Sequence, residues 1–172
     1  LISGGTSVGV YDFVRPTLAE LGVEMHFWRV AIRPGHPIAF GTNATTQVFC
    51  LPGNPVSSMV CFEQFVVPDL HSMMSHPRLY RRTIEARLTH AVKHRPGRTE
   101  FVRVTLSREK QGGYLATATG AQGSGVLLSM ARADGLLIVP SESVGLAEGA
   151  VAKVQLLDGM SFQDDSDTRE NA

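Results

Sequence analysis

Cysteine is almost absent: Cys50 and Cys61 are the only two in 172 residues. Both lie in apolar runs. They read as small core hydrophobes in a reducing compartment, not as a disulfide pair or a thiolate metal site. Histidines do not take up zinc-type spacing either, and His71 reads as a helix-end residue rather than a ligand. Charge of one sign is also lacking, with 16 basic against 16 acidic side chains. That balance excludes the basic stripe of a nucleic-acid binder and the polybasic face of a membrane-surface protein. No apolar run approaches the ~18 residues of a membrane span. Leu1-Ile2-Ser3 carries neither an initiator Met nor a signal-peptide pattern, so the expectation is a cytoplasmic C-terminal fragment. Hydrophobic residues make up 43% of the chain, enough to build a core in one domain or two small ones.

Two stretches stand out against this background. The first is Leu51-Pro52-Gly53-Asn54-Pro55-Val56-Ser57-Ser58, entered from the apolar run Gln47–Leu51. The run reads as a short buried strand. Asn54 then fits a helix cap, and Pro55 the first helical position, where a missing N–H is harmless. A helix start of this kind favours an anion through its free N–H groups and its dipole; a capped helix with no ligand fits as well. The second stretch is Ile2-Ser3-Gly4-Gly5-Thr6-Ser7-Val8-Gly9, a strand end passing into a helix. Its glycines let the backbone approach a ligand or adopt positive φ, and Ser3, Thr6 and Ser7 add hydroxyls. Two such turns in one α/β domain suggest a phosphorylated ligand at the carboxyl ends of the strands.

The remaining pattern divides near Ser75-His76-Pro77. Before it, the spacing predicts a helix over 12–21 with Val14, Leu18 and Leu21 on one face and Gly22 after its end. A strand is predicted over 23–32, with Trp28 in the core. A turn follows over 33–37, then strands at 38–41 and 48–51 joined by a loop over 42–46. A helix runs from Pro55 to about Met73, kinked at Pro68, with Met59, Phe62, Val66, Leu70 and Met73 as its apolar face. Beyond the boundary the reading is all-β. Strands are predicted over 81–92, 101–106, 114–119, 136–139 and 149–157, with a short helix over 126–133 capped by Ser124. Short strands of this kind suggest a small barrel or sandwich. Arg98 and Arg103 read as surface or interdomain ion-pair residues, and Gln122-Gly123-Ser124-Gly125 as a tight turn. The expected domains are therefore 1–76 and 79–158, with a disordered polar tail over 161–172.

The runs Ser3–Gly9, Tyr11-Asp12, Arg33-Pro34-Gly35-His36-Pro37 and Leu51–Ser58, in this order, resemble the molybdopterin molybdenumtransferases, with which the E domain of gephyrin belongs. Gly97-Arg98, Phe101, Arg103 and Gln122–Gly125 are similar to that family's last domain. The resemblance implies the C-terminal half of a three-layer α/β molybdopterin-binding domain, followed by a small all-β, barrel-like domain. It implies insertion of molybdenum into adenylylated molybdopterin, giving molybdenum cofactor and AMP, with Mg²⁺ as cofactor and molybdate as substrate. By the same resemblance Asp12 is the acidic residue tied to metal and catalysis, although it also suits a helix cap. Pro52 and Pro55 are the active-site prolines that shape the loop. Ser3, Gly4, Gly5, Thr6, Ser7, Gly9, Gly53, Asn54 and Ser57 would hold phosphate, and Arg33 and His36 the oxyanion; a local capping bond suits Ser57 as well, and a neutral loop position suits His36. A homodimer with its site at the subunit interface is implied, and a molybdopterin adenylyltransferase or a molybdoenzyme as a partner. The rival readings are a molybdopterin adenylyltransferase, which lacks the β domain, and a gephyrin-like scaffold or truncated inactive product.

Arg33 and His36 stand where the family commonly has lysine, and Val10 where it often has an acid. Arginine keeps its charge and can fork two oxyanion oxygens. Histidine is charged only below its ordinary pKa near 6.5, so any pull on an anion is present at low pH and lost as pH rises. Molybdate affinity is therefore expected to weaken between about pH 6 and 8. A titration that stays flat across that interval would show that His36 supplies no charge to the ligand.

Overall fold

The computed structural model describes residues 1–5, 13–110, 112–123 and 125–157. Strand β1 (Ile2–Ser3), helix α1 (Val14–Glu20), and strands β2 (Glu24–Trp28), β3 (Ile32–Arg33), β4 (Ala39–Asn43) and β5 (Thr46–Leu51) come first. The first sheet has the order β1-β5-β4-β2, with β1 parallel to β5 and the other pairs antiparallel. Alternation along β5 sets its layers. Val48 and Cys50 face one way, packing with Leu18 of α1, Val23 and Ala39. Phe49 and Leu51 face the other way, against Val56, Val60 and Cys61 of the next helix. Helices thus cover both faces of the sheet, as the three-layer reading requires.

Local departures from the expected elements have identifiable causes. Helix α1 stops at Glu20, and Leu21, expected on the buried face, is 66% exposed because it lies beyond the last helical turn. Gly22 follows at φ +71°, as the C-terminal position asks. Trp28 is half-buried, with the Arg15 guanidinium 5.4 Å from its ring centre. The strand expected over 23–32 breaks at Arg29, whose φ is +88°, so β2 and β3 go to different sheets. The loop expected over 42–46 shrinks to Ala44-Thr45, since Asn43 already pairs with Thr46.

Helix α2 (Pro55–Cys61) continues through a π turn (Phe62–Val66) into α3 (Val67–Met73). Pro68 offers no N–H, and the wider turn just before it absorbs the mismatch that the sequence suggested as a kink. The extra residue also shifts the helical phase. Val56, Val60, Cys61, Val66 and Val67 are buried, whereas Met59, Leu70 and Met73, placed on the apolar face by uniform 3–4 steps, are exposed.

The later strands are β6 (Thr83–Leu88), β7 (Val92–Lys93), β8 (Thr99–Arg108), β9 (Tyr114–Ala118), β10 (Gly135–Val139), β11 (Gly145–Leu146) and β12 (Val151–Leu156), with helix α4 (Leu127–Ala131) before β10. The order β10-β12-β6-β9-β8 closes on itself through β10–β8 pairing, forming a five-stranded barrel. Closure removes the exposed edges of so small a sheet. The strand expected over 81–92 ends at Leu88. Thr89 then turns its hydroxyl to Thr117 Oγ1 at 2.9 Å, and Ala91, within the expected strand, is exposed. Helix α4 is shorter than expected and has no side-chain cap; Ser124 and the tail beyond Leu157 lie outside the described residues.

Strand β3 joins the two parts. Ile32 pairs in parallel with Thr99 and Arg33 with Glu100, at the start of β8. One core therefore runs from Ile32, Ile38, Leu51 and Val56 to Phe101, Met130 and Leu136. Arg103, expected as a surface or interdomain ion-pair residue, is fully buried and bonded mainly to neutral groups. Its Nε donates to Ser129 Oγ at 3.0 Å and its Nη2 to Gly123 O at 3.2 Å, while Gln122 accepts from its backbone N–H at 2.9 Å. Burial pushes its pKa down, and the nearby Glu100 carboxylate works against that shift. The Gln122-Gly123 turn is thus a cradle for a guanidinium rather than for an anion.

Two outcomes follow from these burials. Arg103→Ala is expected to lower unfolding free energy by about 3 kcal/mol, since it strands buried acceptors, and Arg103→Lys to recover little of that, as measured by urea denaturation. Burial pushes the Cys61 thiol up to about 12, so native protein at pH 8 should resist alkylation while urea-unfolded protein takes up two labels by mass.

Candidate anion-binding site

Strands β1 and β5 end side by side, with Ser3 opposite Leu51, and both chains leave the sheet there. Gly4 N donates to Leu51 O at 3.1 Å, which carries the pairing one residue into the first loop. The two loops then touch through glycine. A Cβ on Gly53 would lie 3.4 Å from Gly4 Cα, and Gly4 itself sits at φ +87°. Gly5 is tighter still, since a Cβ there would come within 2.6 Å of Val14 Cγ2. Side chains at these places would push the two turns apart or strain them.

The second loop is fixed by its own polar groups. Asn54 is extended (φ −76°, ψ 124°), and its Oδ1 accepts from Ser57 N at 3.4 Å, as the cap reading predicts. Pro55 opens the helix, and the Ser58 hydroxyl donates to Pro52 O. Ser57 N is taken by Asn54 Oδ1 and Ser58 N by Asn54 O, leaving Val56 N–H as the first-turn donor without a partner among the described residues. Pro52 is buried and Ser57 only 6% exposed, whereas Gly53 and Pro55 face solvent. Val56 is itself fully buried, so the loop presents to solvent Gly53 and Pro55 at the positive end of a long helical run, a placement that favours an anion.

The third sequence motif lies elsewhere on the same helix. Cys61 Sγ donates to Gly35 O at 3.3 Å, so the Arg33–Pro37 loop packs six residues into the helical run, about 9 Å along its axis from Pro55. Arg33 is 62% exposed and its Nε lies 3.5 Å from Glu100 Oε1. His36 Nδ1 lies 2.6 Å from Val30 O and serves as donor to that carbonyl, leaving Nε2 as its other ring nitrogen. Thr6, Ser7, Gly9 and Asp12 fall outside the described residues. Among the described residues, no three His, Cys, Asp or Glu side chains converge.

Sequence reasoning missed Glu100 and His94. Glu100 is buried, and its Oε2 lies 2.9 Å from Nδ1 of His94, whose side chain is 1% exposed. His94 Nε2 is the buried side-chain polar atom left without a partner among the described residues. The available signal was a carboxylate immediately before the apolar run Phe101-Val102, where only a paired charge is tolerated.

Comparison with known proteins accounts for this layout. Residues 1–72 match the family described as Probable molybdopterin binding domain, and residues 85–157 the MoeA C-terminal region (domain IV). Gephyrin of Dictyostelium discoideum is 33% identical over 91% of this chain and 25% of its own length. The molybdopterin molybdenumtransferase of Haemophilus influenzae is 30% identical over 90% of this chain and 38% of its own. A crystal structure of the molybdopterin biosynthesis MoeA protein from Pyrococcus horikoshii superposes with a TM-score of 0.73 at 32% identity, covering 92% of this chain and 37% of that one. The chain thus spans about a quarter to two fifths of the length of these relatives. With both domain types present in this order, and with the glycine turns and the Leu-Pro-Gly-Asn-Pro loop meeting as described, the chain belongs to the MoeA and gephyrin family of molybdopterin proteins.

Proposed function

We propose that this chain forms one wall of a site for molybdenum insertion, taking adenylylated molybdopterin and molybdate and giving molybdenum cofactor and AMP. The observation that carries the reading is the meeting of two strand–loop–helix turns at Gly4 and Gly53. A phosphate there would meet backbone N–H groups at close range, held by the Asn54 cap and by the fixed φ of Pro52 and Pro55. The prolines do no chemistry; they keep donors in place. Arg33 and His36 would take the oxyanion, and Asp12, three residues past the glycine loop, would serve the reacting phosphate. The remaining length of the relatives, and a second subunit, would supply the opposite wall.

Calorimetric titration of adenylylated molybdopterin into this chain, beside an Asn54→Ala, Ser57→Ala double variant, tests the wall itself. Binding by the native chain that the variant loses by at least tenfold, the equivalent of about 1.4 kcal/mol, is the expected result. Equal binding by both would remove the ligand from the helix start. For the chemistry, Asp12→Ala in the intact protein should abolish AMP release while leaving pterin binding within a few-fold. Release at the native rate would remove Asp12 from the reaction.

A further inference from the structure

A second concave surface lies away from the glycine turns, between the β4–β5 hairpin, β2 and the end of α3. It is a groove of about 330 Å³, at the small end of the ~300–1,000 Å³ typical of ligand sites. Its walls are aromatic: Phe27, Phe40, Phe49, Phe65 and Tyr80. Phe40 lies 4.7 Å from Phe49 and 5.7 Å from Phe27, and Phe27 lies 6.2 Å from Phe65, all with tilted planes. The rings therefore form a continuous curved wall instead of a closed stack. One carboxylate, Asp69, stands in that wall. With its amide nitrogen turned inward, Gln47 donates to both carboxylate oxygens, at 2.8 Å to Oδ1. None of the ion pairs among the described residues, drawn at 4 Å or less, involves Asp69.

Aromatic faces and a held carboxylate share one preference. The π faces are electron-rich and attract a cation whose surroundings are apolar, and the carboxylate supplies the counter-charge. The same carboxylate repels the phosphates and oxyanions suited to the glycine turns. We propose that this groove binds a small organic cation, an ammonium group carrying methyl or methylene substituents, seated on the rings with Asp69 beside it. The groove's size argues for a small molecule rather than a peptide segment. The proposal is independent of the pterin reading.

The test uses the full-length protein and two probes that differ only in charge, choline and its neutral isostere 3,3-dimethylbutan-1-ol, followed by amide chemical-shift changes. Choline is expected to perturb residues of β4, β5 and α3, and to bind at least about fivefold more tightly than the alcohol. Asp69→Asn keeps the partner of Gln47 and removes only the charge. It should weaken choline at least about threefold and leave the alcohol unchanged. Tyr80→Leu, at a residue 72% exposed and so harmless to the core, should weaken choline in the same direction. Equal affinity for the two probes, or choline binding unchanged in Asp69→Asn, would overturn the proposal. So would an absence of shifts in the groove combined with a dimer that Tyr80→Leu turns into a monomer in sedimentation, which would assign the surface to a second copy of the chain.

Discussion

Two residues of strand hold the two halves of the chain in register. Ile32 and Arg33 leave the first sheet after the left-handed turn at Arg29 and add to the edge of β8 in the second. Their side chains do different work. Ile32 enters the core that spans both halves, beside Phe101 and Leu136, and contributes through area removed from water. Arg33 lies over Glu100, and Gly35 is pressed so closely on Cys61 that a Cβ there would fall 2.6 Å from the sulfur. The helix that opens at Pro55 is thus packed, through one short loop, against the barrel. Motion of one half relative to the other would have to break strand pairing, core contact and this close approach together.

Much of this was readable in advance, and what was missed has a physical pattern. The helix cap at Asn54, the strand before it and the sheet partners of the hairpin depend on local chemistry, and each appears as the residues ask. The errors occur where a neighbour in space overrides a local period. Leu70 and Met73 fit an apolar stripe only if the helix keeps a uniform pitch, and the π turn before Pro68 changes it; Met59 lies before that turn, in α2, whose buried residues are Val56, Ser57, Val60 and Cys61. Residues 23–32 alternate like one strand, yet Arg29 divides them because each end finds its partner in a different sheet. Arg103 reads as a surface or interdomain ion-pair residue because its actual partners, Ser129 and the Gly123 carbonyl, lie some twenty or more residues away. In the candidate site, the glycines and the Leu-Pro-Gly-Asn-Pro loop were legible because their types are dictated by close backbone approach. Glu100 was announced only by its place before the apolar run Phe101-Val102, and nothing local announced His94 as its partner.

The same asymmetry separates the two concave surfaces. At the glycine turns the close approach is between backbone atoms, so the residues that shape it are those with little or no side chain. The aromatic groove is built instead from side chains, with one carboxylate whose hydrogen-bond partner, Gln47, leaves its charge intact. On the proposed readings a single ligand does not suit both: the first would take an anion and the second a cation.

The arrangement around Glu100 bears on whether Arg33 can do two jobs. An ion pair with one partner 62% exposed contributes about 1 kcal/mol or less, so it restrains Arg33 weakly. An oxyanion offering two oxygens to the same guanidinium competes well with that. Had Glu100 no other support, the exchange would leave a buried carboxylate uncompensated, which costs several kcal/mol. It keeps the His94 Nδ1 contact at 2.9 Å, however, and the field of buried Arg103. On the proposed reading, Arg33 would turn from the seam to a ligand without unmaking the seam, because the carboxylate it leaves stays hydrogen-bonded from the barrel side.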